Sequence, residues 1–178
     1  MEVKIMKYKF CPDCGGKCEK KSFKEYLCGL CGKSFWDEPD IGAAVLVHNP
    51  EKGYLFIVEK KEPSKGLLGL PAGYVDNNET LEEGAIRECR EETGIEVSDL
   101  KYSGSNIYQV ELNGVEYKGV TAFFTAETRQ YGKPNDSTEV EDVVWLKKEE
   151  IVLEKIGSVD SREFIRRFLS LFPSAKQE

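Results

Sequence analysis

The chain has 178 residues, of which 40% are hydrophobic, and a formal net charge of −7. This composition suits one good hydrophobic core with a small appended unit. No apolar run approaches the roughly 18 residues of a membrane helix, and an acidic chain is not expected to bind nucleic acid generically. The absence of a recognisable secretory or transit segment predicts a cytoplasmic location.

Two Cys-x-x-Cys pairs lie near the N-terminus, Cys11 with Cys14 and Cys28 with Cys31, and a glycine follows each pair. Four thiolates at this spacing favour a tetrahedral, structural Zn²⁺ site. Disulfides would need an oxidising compartment, and a redox motif would need a different flanking pattern. So short a segment buries too little apolar surface to fold without such a metal. The sequence therefore predicts a zinc ribbon over residues 1–38.

Charge is divided unevenly along the chain. Residues 1–36 carry eight lysines against four acidic residues, so a net +4 there leaves −11 for the remainder of the total of −7. An acidic main unit, residues 39–178, suits a site that recruits divalent cations. The lysines of the ribbon are interpreted as a solvated surface, on a unit that packs against the main unit or helps to form a homodimer. Cys18 remains as an extra thiol beside the four predicted ligands.

Hydrophobic patterning predicts a mixed α/β unit over residues 39–178. Apolar and β-branched runs bounded by turn residues indicate strands, and these are 41–47, 54–60, 102–112, 115–127 and 143–146. The Asn113-Gly114 pair predicts a hairpin turn. An amphipathic helix is predicted over 162–172.

A second predicted helix lies within residues 73–95. Asn77 or Asn78 is expected to cap it, with its first turn near Glu79, and Gly94 is expected to end it in a left-handed conformation. Apolar side chains would then face a core.

Three glutamates of this helix, Glu88, Glu91 and Glu92, stand at i, i+3 and i+4 and therefore share one face. Like charges at this spacing weaken an isolated helix. Their oxygen-only donor set is typical of a site for Mg²⁺ or Mn²⁺. The alternative interpretation is an ordinary solvated acidic face.

The same segment resembles the Nudix box, which reads Gly, five residues, Glu, seven residues, then Arg-Glu-apolar-x-Glu-Glu-x-Gly-apolar. All seven fixed residues are present, namely Gly73, Glu79, Arg87, Glu88, Glu91, Glu92 and Gly94. The resemblance implies a Nudix α/β/α sandwich with a small N-terminal zinc ribbon. It also implies a hydrolase that cleaves a nucleoside diphosphate linked to another moiety, X, into a nucleoside monophosphate and phospho-X.

By motif position, the resemblance implies that Glu88 and Glu92 bind the catalytic cation together with the Gly73 carbonyl. Glu91 would be a further ligand or would orient the attacking water. Glu79 and Arg87 would form a structural pair.

The general base varies within the Nudix family. Several members take it from a loop beyond the box, which makes Glu139, just before the last predicted strand, the first candidate here. Glu141 and Asp142 are alternatives.

The substrate is less sharply indicated. A zinc ribbon before a Nudix domain is similar to the NADH pyrophosphatase group, and Leu70-Pro71-Ala72-Gly73 is similar to dinucleotide and ADP-ribose hydrolases. However, the Ser-Gln-Pro-Trp-Pro-Phe-Pro-x-Ser signature of the former group is missing; residues 102–108 stand there instead. ADP-ribose or an NADH-like dinucleotide is the first expectation. A house-cleaning nucleoside triphosphate hydrolase and a non-catalytic nucleotide-sensing module are the alternatives.

Overall fold

A computed structural model describes residues 8–112, 115–135 and 138–171 of the protein. The described residues divide between Pro39 and Asp40 into two compact units. Neither helix in these ranges has the length and apolar character needed to cross a bilayer. The hairpin turn predicted at Asn113-Gly114 lies outside the described residues, although the two strands that flank it pair as expected.

The first unit is a three-stranded antiparallel sheet. Its strands pair in chain order and are β1 (Cys18–Lys20), β2 (Glu25–Cys28) and β3 (Ser34–Trp36). The small core combines thiols and aromatic rings: Tyr26 is buried, and Tyr8 packs edge-on against it at a centroid distance of 5.4 Å. The apolar core of this unit is therefore small.

The second unit is built on a seven-stranded mixed sheet. Its strands are β4 (Asp40–Asn49), β5 (Gly53–Glu59), β6 (Leu68–Gly69), β7 (Ala72–Tyr74), β8 (Lys101–Leu112), β9 (Val115–Glu127) and β10 (Val140–Leu146). The order is β10-β5-β4-β9-β8, with β6 on β5 and β7 on β4. Central β4 runs parallel to β9. It is buried on both faces, which accounts for its unbroken apolar sequence.

Two helices, α1 (Leu81–Thr93) and α2 (Val159–Leu171), cover opposite faces of this sheet. Side chains of a strand alternate between faces, and those of β4 divide accordingly: Ala43 packs with Ala85 of α1 and Ala44 with Phe164 of α2. The predicted α/β/α sandwich is confirmed.

Two predicted boundaries differ from the structure. Helix α1 begins at Leu81, because Thr80 and Glu83 form a capping box in which each side chain accepts a hydrogen bond from the other's backbone. Neither Asn77 nor Asn78 is the cap. The last strand begins at Val140 instead of 143, because pairing with Glu59 of β5 extends it.

Candidate active site

Helix α1 presents its three glutamates in three different environments. Glu92 is buried, with 6% of its surface exposed, whereas the side chain of Glu88 is 16% exposed and that of Glu91 is 52% exposed. The helix lies beside β7, and this contact produces the gradient: the C-terminal turn of α1 packs closely and the flank bearing Glu91 faces solvent.

The Glu92 carboxylate is fixed to β7 by a hydrogen bond. The backbone N–H of Ala72 donates to Oε2 of Glu92 over 3.1 Å. Burial is the main cause that raises the pKa of Glu92 to about 8. The hydrogen bond from the Ala72 N–H lowers this pKa, and the charges of neighbouring carboxylates raise it further. A carboxylate held in this way becomes a good ligand when a cation offsets its burial.

Gly73 provides the space that Glu88 occupies. Gly73 pairs with Ala43 of β4, and a Cβ atom added to Gly73 would overlap the Glu88 carboxylate. Burial raises the pKa of Glu88, opposed by its hydrogen bond with Arg87. The glycine of the box therefore lets a carboxylate approach the backbone of β7.

Arg87 ties α1 to the preceding loop. Its Nε and Nη2 donate to Oε1 and Oε2 of Glu79 over 2.7 and 2.9 Å, and Nη2 also donates to the Tyr74 carbonyl over 2.8 Å. Its Nη1 donates to Oε1 of Glu88 over 2.6 Å. The hydrogen bond from Arg87 holds the pKa of Glu79 below its usual range. The structure thus brings Glu79 and Arg87 together, and it adds Glu88 to the pair.

Glu139 immediately precedes β10, and its side chain is exposed. Its charge contributes to the raised pKa values of Glu88 and Glu92. Lys61 donates to its Oε1 over 2.5 Å. The alternative candidates for the general base, Glu141 and Asp142, are exposed on β10.

Sequence reasoning missed Glu59, the last residue of β5. It is half-buried, and a Cβ atom on Gly69 would overlap its carboxylate. Burial raises the pKa of Glu59, and the Glu139 carboxylate raises it further. Alternation along β5 could have revealed it, because Leu55 packs on the α1 face and Glu59 shares that face.

The four cysteines of the first unit converge on one point. Their sulfur atoms lie within 4.8 Å of one another, an arrangement that could hold a metal ion. Backbone N–H groups of Cys31 and Leu30 point at the Cys28 sulfur and lower the pKa of this thiol to about 6. Cys18 is buried but does not belong to the group.

The family model for the NUDIX domain matches residues 38–168. The chain is 33% identical over 98 residues to the NAD-capped RNA hydrolase NudC of Vibrio vulnificus, covering 54% of this chain and 37% of that protein. It is 24% identical over 168 residues to NudC of Photobacterium profundum, covering 94% of this chain and 60% of the relative.

One solved structure is similar over nearly the whole chain. A NUDIX hydrolase from Nitrosomonas europaea is 25% identical, with a TM-score of 0.74, and the match covers 93% of this chain and 92% of that one. In contrast, the chain spans only 37% and 60% of the two NudC proteins.

Proposed function

The chain belongs to the NUDIX family, and from this premise we propose that it is a metal-dependent pyrophosphohydrolase. It would cleave a nucleoside diphosphate linked to X into a nucleoside monophosphate and phospho-X. The observation that carries the proposal is the convergence of Glu88 and Glu92 on the backbone of β7, one over Gly73 and one bonded to Ala72.

The carboxylates fit a Mg²⁺ or Mn²⁺ site. The donors are oxygens only, and the missing Cβ of Gly73 leaves room for Glu88 against the strand. We assign Glu88, Glu92 and the Gly73 carbonyl as ligands, with Glu91 as a further ligand or a water-orienting group. A divalent cation held there would neutralise charge on the leaving phosphate and lower the pKa of bound water.

The protein's own residues would then position the attack. Arg87 holds the box together through Glu79 and the Tyr74 carbonyl, which fixes Glu88 for its role. Glu139 is the proposed general base, since it precedes β10, its charge acts on Glu88 and Glu92, and a carboxylate can take a proton from water within hydrogen-bond reach. Lys61 orients this carboxylate.

For the substrate we propose an NADH-like dinucleotide or ADP-ribose. The support is the similarity to the NudC proteins, which are NAD-capped RNA hydrolases. An NAD cap contains the same pyrophosphate linkage, so a capped RNA belongs among the substrates to be tested. No generic RNA affinity is needed for this, because the cap itself would carry recognition.

The cysteine group is proposed to hold a structural Zn²⁺. Four sulfur donors grouped in this way are typical of structural zinc sites. We keep the cytoplasmic location and the homodimer as predictions from the sequence.

The proposal is tested by hydrolysis of a panel comprising ADP-ribose, NADH, NAD, NAD-capped RNA, diadenosine polyphosphates and nucleoside triphosphates, with Mg²⁺ or Mn²⁺. Glu92→Gln is expected to lower kcat by roughly 100-fold or more, whereas Glu154→Gln, an exposed residue, should retain full activity. Preference for triphosphates would favour the house-cleaning hydrolase. If folded, zinc-loaded protein is inactive on the whole panel yet binds a nucleotide, the sensing module is correct and the hydrolase proposal is wrong.

A further inference from the structure

A cavity of about 500 Å³ lies in the second unit, on the face of the sheet that α2 covers. Leu46 of β4 and Phe168 of α2 line it, and both belong to the apolar core on this face. Its volume is within the range of about 300–1,000 Å³ that is typical of small-molecule sites. Among the described residues, those that line the cavity include no residue of the box and not Glu139.

Three neighbouring strands place a row of side chains in this cavity. His48 of β4 pairs with Tyr54 of β5 on one side and with Glu127 of β9 on the other. Residues paired in this way project to the same face of a sheet, and all three line the cavity. The strand register thus builds a wall that contains two rings and one carboxylate.

The rings of this wall suit a planar heterocycle. The ring centroids of His48 and Tyr54 are 4.9 Å apart, and Tyr54 meets Phe168 edge-on at 5.7 Å. All three side chains are only partly buried, so they retain ring surface on which a ligand can stack. Stacking accepts any nucleobase, because every base has a π face.

Polar groups of both signs lie around the rings. Asp99, Lys101 and Glu127 line the cavity together with the hydroxyl-bearing Ser98 and Thr125. The Ser98 hydroxyl donates to Oδ2 of Asp99 over 3.2 Å, which ties this carboxylate to the turn before β8. Carboxylates accept hydrogen bonds from hydroxyl and amino groups, whereas an ammonium group donates them. Two carboxylates against one lysine favour an uncharged ligand with hydroxyl groups over a phosphorylated one.

We propose that this cavity is a second binding site and that its ligand is a nucleoside. The heterocycle stacks on the rings of His48 and Tyr54, and the ribose hydroxyls donate to the carboxylates of Asp99 and Glu127. The site goes beyond the proposed hydrolase, because it contains none of the proposed catalytic residues and requires no divalent cation.

The test uses His48 as its probe. It is the one histidine of the chain, so the resonance of its Cε1–H group is unique and reports directly on the cavity. Adenosine is titrated into untagged, zinc-loaded protein without Mg²⁺ or Mn²⁺, and this resonance is followed by proton NMR. We expect a saturable shift in wild type and an equal shift in Glu92→Gln. AMP should bind more weakly than adenosine, because its phosphate adds negative charge beside two carboxylates.

Asp99→Asn tests the polar contacts. The backbone of Asp99 has φ at 52°, a conformation that asparagine also tolerates, so the turn is retained while the charge is removed. We expect adenosine to bind roughly tenfold more weakly. The matched control is Glu154→Gln, an exposed residue that does not line the cavity, and it should bind like wild type.

Several results would overturn the inference. They are the absence of a saturable shift up to about 10 mM adenosine, tighter binding of AMP than of adenosine, and unchanged affinity in Asp99→Asn. Loss of the shift in Glu92→Gln would also overturn it, because adenosine would then bind at the catalytic site. All of these results leave the hydrolase proposal intact, since the substrate panel tests that proposal separately.

Discussion

Glu91 and Glu92 are neighbours in the chain, yet one carboxylate is exposed and the other is buried against β7. At the residue scale, the candidate site contains chemically identical glutamate side chains that lie in different environments. Burial raises the pKa of Glu92 to about 8 although the Ala72 N–H opposes this shift, and Arg87 donates a hydrogen bond to Glu88. The site's chemistry therefore depends on where each glutamate lies.

The raised pKa of Glu92 predicts how stability varies with pH in buffer free of Mg²⁺ and Mn²⁺. Its folded-state value of about 8 lies above the roughly 4.3 of an unfolded chain, so the folded protein binds more protons between these values. The contribution of Glu92 to the free energy of unfolding is therefore most favourable below the unfolded pKa. It declines as pH rises toward 8, by up to about 1.4 kcal/mol per pH unit.

Thermal unfolding of wild type and Glu92→Gln between pH 5 and 8 measures this effect. As pH rises, wild type should lose stability relative to Glu92→Gln, which lacks the titrating carboxylate. Since the pKa of Glu79 is lowered, its own contribution is lost at low pH in both proteins and cancels. Parallel pH profiles would show that Glu92 titrates normally.

Arg87→Lys should impair both the fold and the site. The guanidinium donates to both oxygens of Glu79 and to the Tyr74 carbonyl, and a lysine cannot reproduce this planar set of bonds. We expect a loss of about 1–3 kcal/mol in the free energy of unfolding, measured by urea titration, and a fall in kcat. Arg90→Lys, at an exposed position of the same helix, is the matched control. Equal stability of the two variants would contradict the tethering role of Arg87.

At the scale of elements, the approach of α1 to β7 creates the site. Thr80 caps the helix and Gly94 ends it with φ at 68°, so its length and starting point are fixed locally. Its distance from the sheet is fixed by small residues, with Ala85 and Cys89 fully buried. A helix with larger residues at these positions would hold the glutamates away from the strand.

Gly73→Ala tests this close approach. The added methyl group would overlap the Glu88 carboxylate, so we expect lower stability by about 1–3 kcal/mol and a large loss of activity. The double variant Gly73→Ala, Glu88→Ala removes the overlap. Chemical denaturation of the double-mutant cycle should therefore show recovery of stability without recovery of activity. Additive losses would mean that the methyl group acts elsewhere.

At the scale of the whole molecule, the chain combines two units stabilised by different physical effects. The unit before Asp40 has a core of thiols and a few aromatic rings, whereas the unit that follows has an apolar core on each face of its sheet. Loss of a metal is therefore expected to affect the first unit and to spare the second.

Removal of zinc should unfold the first unit selectively. Wild type and Cys18→Ala should each contain one Zn²⁺ per chain by metal analysis, and Cys28→Ala should contain almost none. Trp36 lies in the first unit and Trp145 in the second, so single-tryptophan variants should report a change from Trp36 alone when a chelator is added. Full zinc content in Cys28→Ala would refute the four-cysteine site.

Much of the fold was predictable because its signals are local. Apolar residues follow the strand period in β8 and β9 and the helix period in α2. Each of these elements was predicted to within three residues of its observed start. The start of α1 was misplaced because Asn77, Asn78 and Thr80 are all good caps, and only Thr80 has Glu83 in place to complete a capping box. Strand β6 was missed because two residues carry no periodicity.

The sequence by itself determined the family, the fold class, the four cysteines and the carboxylates of the box, since these depend on residue type at fixed spacing. Only the tertiary structure decided which glutamate is buried, that Arg87 also contacts Glu88, and that Glu59 of a separate strand lies on the α1 face of the sheet. Burial and charge coupling depend on distances between elements far apart in the chain. Those distances are set by how the helix packs on the sheet.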